Sequence, residues 1–362
     1  MTRPSRSARP GSAAAGPGTP DVTRVQTTIA ELAADAYRGR RVGTPGGRAA
    51  ATWLARQLTG LGAEVTTETF HVRGVRDLYA TPTLRWRGHD LVHRRDFVEH
   101  LTSADLPEPR SAVIGDVLVP RGVDAEGWLP KMIAGPPQGD RPLLAVRTDL
   151  HTRMVAEGGE VTVTVPLRTI ETTGTNVHAV LTGGTPSVLL TAHYDGVGDD
   201  PEQRLPAAAD NASGVAVVLE ATRLLMTSAP GVGLAVALLD AEEAGARGSA
   251  HHAPHVPSGT HVINVDGAAE LGAAAAVEAG GPATALLAAL DQAGRETGVP
   301  LRAGAMPSDN RRYAAAGLPA VGIGMGIPGY QTPAETPDRV DPATLAAATR
   351  LVVATVHHLA RV

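Results

Sequence analysis

Apolar positions recur at helical spacing in two stretches near the start of the chain, VTRVQTTIAELAAD from Val22 and GGRAAATWLARQLTGLG from Gly46, the second aligning Ala51, Leu54, Leu58 and Leu61. Pro45-Gly46 separates the two predicted helices. AEVTTETFHV, from Ala63 to Val72, then alternates in a β-branched-rich pattern and predicts a strand. From about Arg73 to Thr175, short runs such as PTLRW, DVLVP, PLLAVRT and EVTVTVPL are broken by Gly, Pro and Asp, as in a mostly β insertion. After it, NVHAVLTG (Asn176 to Gly183), SVLLTAHYD (Ser187 to Asp195), VGLAVALLD (Val232 to Asp240) and HVINVD (His261 to Asp266) are too continuously apolar to be half-exposed. They predict sheet strands covered on both faces. Between and after them, SGVAVVLEATRLLMTS aligns Val215, Val218, Leu219, Leu225 and Met226, and DPATLAAATRLVVATVHHLARV reads as a closing amphipathic helix.

Strands alternating with helices predict an α/β fold, a three-layer α/β/α sandwich with a mixed, largely parallel sheet, carrying the small mostly β insertion. The expected organisation is a disordered tail over 1–21, one catalytic domain from 22–72 and 176–362, and the insertion over 73–175. The tail carries three arginines among Gly, Pro, Ser and Ala but no apolar core of a signal peptide. No run reaches the eighteen or so apolar residues of a membrane span. The expected compartment is therefore the cytoplasm. Lys+Arg 32 against Asp+Glu 37 gives a net charge of -5 with no basic run beyond the tail, which argues against a nucleic-acid partner. With no cysteine, any metal must be held by His, Asp and Glu.

Those residue types collect at predicted strand ends: His193 and Asp195 in AHYDG, Asp210 in AADNASG, Glu242 and Glu243 in LLDAEEAG, and Asp266 in NVDG. Ligands bind at the carboxyl ends of strands in open α/β sheets, so groups distant in sequence can converge there. One imidazole and several carboxylates suit zinc or another divalent ion. Alone, a His-X-Asp is an ordinary surface pair, Glu-Glu a solvated helix start, and Asp210-Asn211 a helix cap. Four such clusters at successive strand ends of one domain point to a site.

In that order the motifs resemble the co-catalytic di-zinc aminopeptidases, whose fold is shared by glutamate carboxypeptidase, the glutaminyl cyclases and the transferrin receptor ectodomain. The likeness runs from YRGRRVGTPGGRAAATWLARQL through NVHAVLTG, AHYDG, DNASG, AEEAGARGS and NVDG to PSD, GLPAVGI and YQTPAETPDRVD. It implies His193 and Asp266 as ligands of one zinc, Glu243 as ligand of a second, and Asp210 as the bridge. It also implies Asp195 as the partner orienting His193, Glu242 as general base passing a proton from metal-bound water to the leaving amine, and Tyr330 as donor to the oxyanion.

The chain departs from the pattern at Gln331, where the family has the second zinc's last histidine, and at Asn310, a frequent family histidine on the substrate side. A carboxamide is a poorer zinc donor than imidazole, so the second site should be weak, differently occupied or empty. The expected function is a zinc-dependent, aminopeptidase-like amide hydrolase acting on a small peptide or peptide-like metabolite. The alternatives are a non-hydrolytic metal-assisted cyclase or acyl transferase, and a non-catalytic binding protein of the same fold. Against the last, a scaffold has no need of buried, mutually repelling carboxylates.

Overall fold

The computed structural model describes residues 18–181, 187–228 and 231–361. Most of the expected tail and the end of the NVHAVLTG run therefore lie outside the described residues. Helix α1 (Val22–Leu32) begins at Asp21, whose side chain accepts the Arg24 N–H, while Asp21 N–H donates to Glu220 at 2.7 Å. Thr44 caps α2 (Pro45–Gly60) through the Gly47 N–H, with Pro45 at a first-turn position where its missing donor costs nothing.

One eight-stranded sheet organises the molecule. Its strands are β1 (Glu64–Leu78), β2 (Leu167–Val180), β3 (Val188–His193), β4 (Leu234–Leu239), β5 (His261–Val265), β6 (Ala275–Gly280), β7 (Leu301–Ala303) and β8 (Ala320–Gly324). The spatial order is β1-β2-β4-β3-β5-β8-β6-β7. The four central strands, β4, β3, β5 and β8, are mutually parallel, and β2 and β6 join them antiparallel on either side. This is the expected mixed, largely parallel sheet.

Period-two alternation along the central strands explains why their sequences are apolar throughout. Val188, Leu190, Val236, Leu238, Ile263 and Val321 face a core completed by α1, α2 and three later helices: α3 (Gly214–Ser228), α4 (Thr284–Thr297) and α5 (Pro342–Leu359). Leu189, Ala235, Ala237, Leu239 and Val262 face the other way, against Ala253, Tyr313 and Leu318. The α3 helix was expected to bury one face, yet Ala216, Val217, Ala221, Thr222 and Leu224 are buried as well. The reason is that α1 and α5 cover the side turned from the sheet.

β1 and β2 form a long antiparallel hairpin that continues to the pair Leu78–Leu167, so the expected insertion edges at 73 and 175 fall within these two strands. Between them lie a four-stranded and a three-stranded sheet around a separate apolar cluster that includes Leu84, Trp86, Phe97, Val146, Met154 and Val163. Arg94, fully buried, fastens this unit to the central domain by pairing with Asp200 at 2.7 Å and with Glu99 of its own unit at 2.8 Å. Among the described residues no helix is long and apolar enough to cross a membrane.

Candidate metal centre

The end of β3 delivers His193, the turn after β5 delivers Asp266, and the irregular segment Ala208–Ser213 ahead of α3 delivers Asp210. Their ligand atoms lie within 4.8 Å of one another. His193 Nε2 is 3.1 Å from Asp210 Oδ1 and 3.4 Å from Asp266 Oδ1. On the other side of the ring, Nδ1 lies 3.1 Å from the Asp195 carbonyl and 3.5 Å from its carboxylate. A neutral imidazole donating Nδ1–H to either acceptor would offer its Nε2 lone pair to an ion held by the two carboxylates. The Asp195 carboxylate also accepts the N–H groups of Glu242 at 3.0 Å and Glu243 at 3.2 Å, setting the turn that presents both glutamates.

Asn211 aligns two of the candidate ligands. Its amide donates to the Val265 carbonyl at 2.9 Å and accepts the Gly267 N–H at 3.0 Å, bracketing Asp266 while sitting next to Asp210. It also accepts the Gly214 N–H at the start of α3, which is the capping contact expected of this sequence.

Glu335, 1% exposed, is a residue the sequence reading did not single out. One carboxylate oxygen accepts the N–H groups of Ala209 at 3.0 Å and Asp210 at 2.6 Å, and the other accepts that of Gln331 at 2.7 Å. It thus locks the Asp210 segment to the Tyr330-Gln331 turn. Arg40 is also unforeseen and wholly buried. It donates to the carbonyls of Leu32, Tyr194, Pro206 and Ala207, placing a fixed positive charge among Glu335, Asp195, Asp210 and Glu243. Both stood inside segments that resemble the family, but neither has a local signature separating it from a surface charge.

Gln331 is 3% exposed in a left-handed conformation, φ 53°, and its amide donates to Glu243 Oε2 at 2.5 Å. Glu243 is therefore next to Asp210 and Glu242 but engaged by Gln331. Tyr330 is 43% exposed and lies in the field of Glu243, Asp210, Glu242 and Asp266. Asn310 is buried, with its side chain against Gly322 and the carbonyls of Met306 and Ser308 in its reach. The neighbouring Asp309, also unforeseen, is fully buried.

The electrostatics are those of an acid-rich pocket. Burial pushes Glu242 well above the ordinary carboxylate range, with Asp309, Asp266 and Asp210 adding to it. Burial, then Asp210 and Glu242, do the same to Glu243. Burial opposes a charged His193, but Asp266 and the close approach of the Asp195 and Asp210 carboxylates outweigh it and hold the imidazole of the metal-free protein well above its usual value. A cation fits this donor set. His193 Nε2, Asp266 Oδ1 and Glu243 Oε1 are buried without hydrogen-bond partners, which is costly unless a further group binds them.

Residues 176–356, half of the chain, match peptidase family M28. The chain belongs to that family. The zinc aminopeptidase BSAP from Bacillus subtilis superposes with a TM-score of 0.70 at 20% identity, covering 92% of this chain and 94% of that one. The aminopeptidase from Aneurinibacillus sp. strain AM-1 gives 0.65 at 18% identity, covering 93% of each chain. The Porphyromonas gingivalis glutaminyl cyclase gives 0.56 at 18% identity, covering 93% of this chain and 98% of its own. At these identities the likeness establishes the zinc-exopeptidase fold. A comparison with curated protein sequences returns no match.

Proposed function

We propose that this M28 chain is a zinc-dependent, aminopeptidase-like hydrolase of a small peptide or peptide-like amide. The observation that carries this reading is the convergence of His193 Nε2, Asp210 Oδ1 and Asp266 Oδ1, with Glu242 beside them. These three side chains would hold the ion, which when bound activates water and polarises the scissile carbonyl. Three protein ligands and an open position suffice for a single-zinc catalytic site.

Glu242 accepts the proton of the attacking water and returns it to the leaving amine. Asp195 supports both ends of this arrangement, through His193 Nδ1 and through the backbone of Glu242 and Glu243. The Tyr330 hydroxyl, at the exposed edge of the same carboxylates, donates to the oxyanion. In our reading the enzyme works with one ion, because the Gln331 amide, in the position of the family's last histidine, occupies Glu243 with a neutral hydrogen bond.

The test is Glu242→Gln in zinc-loaded protein, assayed on a panel of aminoacyl amides and dipeptides. Turnover should fall by about 10²–10⁴-fold while zinc content stays the same. Equal turnover in the variant would remove Glu242 from this role.

A further inference from the structure

A cavity of about 530 Å³ opens where three segments meet: residues 38–46 leading into α2, the end of β1 at 76–79, and the 198–201 loop that follows Asp195. Lys131 closes it from the insertion. Arg38, Arg41, Arg76 and Lys131 line it, against Asp77, Asp199 and Asp200.

The acids are accounted for. Asp77 is bridged by Arg41 at 2.7 Å and Arg168 at 2.8 Å, and Asp200 by Arg94 at 2.7 Å and Lys131 at 3.2 Å. Asp199 accepts the Leu205 N–H at 2.9 Å. The cations are not fully matched. Arg38 is exposed at the rim and forms no ion pair among the described residues, with Asp199 as the acid in its field. Arg41 Nη1 and Arg76 Nε are buried without a partner. Arg76 is 3% exposed, and its remaining nitrogens are fixed by Gln138, Thr169 and the Ser103 carbonyl. The first turn of the sixteen-residue α2, at Thr44–Gly46, borders the same space and adds the positive end of its dipole.

We propose that this cavity binds a small oxyanion, a carboxylate or phosphate group, received by Arg38 and Arg41 with Arg76 behind them. A guanidinium does not shed its proton to relieve burial, so an unmatched donor there carries an uncompensated desolvation cost. The planar forks of two arginines suit paired oxygens. The volume lies in the range of about 300–1,000 Å³ typical of small-molecule sites. Lys131 connects the cavity to the metal centre. Its ammonium donates to the Gly198 and Asp199 carbonyls at 2.8 and 3.0 Å, and its N–H donates to the Gln331 carbonyl at 3.0 Å.

The oxyanion could come from the carboxyl end of a substrate or from a free anion. Calorimetric titration of the zinc-loaded full chain with inorganic phosphate and with succinate decides whether the site exists. We expect saturable binding of at least one probe, weakened about tenfold or more in the double variant Arg38→Gln, Arg41→Gln, and less in Arg38→Gln alone. Arg38 is exposed, so its substitution leaves the fold intact, and equal melting temperatures without anion verify that. Absence of saturable binding, or unchanged affinity in both variants, overturns the proposal, the latter placing the anion at the metal centre. Neither outcome depends on turnover. The source is then read from KM: amidation of a dipeptide's carboxyl end raises it in the wild type, and not in the double variant, only when the substrate's own carboxylate is the ligand.

Discussion

The Gln331 side-chain amide donates to Glu243 Oε2 at 2.5 Å, so the glutamate the family would commit to a second zinc is held by a neutral neighbour. Gln331→His should restore an imidazole donor at that position. Metal analysis of protein saturated with zinc and desalted should give one ion per chain in the wild type and two in the variant. Two ions in the wild type would instead make Gln331 or water the completing ligand.

Glu335 accepts three buried backbone N–H groups, two from the Asp210 segment and one from Gln331. In Glu335→Gln one of its oxygens becomes an NH₂ group facing donors. The expected cost is about 1–3 kcal/mol of stability, read from urea unfolding, together with weaker zinc binding as Asp210 loses its backbone anchor. Unchanged zinc affinity would show that Glu335 supports the fold only.

Arg94 joins the insertion to the 198–200 loop inside a fully buried ion cluster, with Asp200 and Glu99 as its partners. Arg94→Met leaves those carboxylates with Lys131 and His93 alone. A loss of about 3–5 kcal/mol is expected from breaking a buried pair on one side. Limited proteolysis should show cleavage within the insertion before the central sheet.

Two buried acids give the metal-free protein a characteristic pH response. Burial, reinforced by Asp195, pushes Asp240 up to about 8, and burial pushes Asp309 up to about 7. A carboxyl whose folded value lies above its unfolded value near 4 favours the folded state while protonated, and that contribution is lost as pH rises through the folded value. Chelator-treated protein should therefore melt at a lower temperature at pH 8.5 than at pH 6. Glu99, lowered to about 2 chiefly by Arg94 against the opposing effect of burial, has the reverse sign and acts only below its ordinary range. A melting temperature that does not fall between pH 6 and 8.5 would count against the raised values.

Zinc should stabilise the chain, because the buried carboxylates of the site repel one another and Arg40 is a fixed positive charge near only some of them. Melting curves over a zinc titration should rise and saturate in the wild type, and the rise should vanish in the double variant His193→Ala, Asp266→Ala.

The sequence by itself determined the layered α/β fold, because strands buried on both faces must be apolar at successive positions and the helices between them must be amphipathic. It also determined where chemistry could gather. His193, Asp210, Glu242, Glu243 and Asp266 stand at strand ends or helix starts, positions readable from local pattern. Only the tertiary structure decided that His193, Asp210 and Asp266 meet within one ion's reach while Gln331 engages Glu243. It alone revealed Glu335 and Arg40, and the bonds that tie the cap residue Asn211 to the Asp266 turn, because these are hydrogen bonds to backbone far away along the chain: Asp210 and Glu335 are separated by 125 residues, Arg40 and Tyr194 by 154. A buried charge is tolerated where such partners converge, and convergence is a property of strand order and packing that local spacing does not encode.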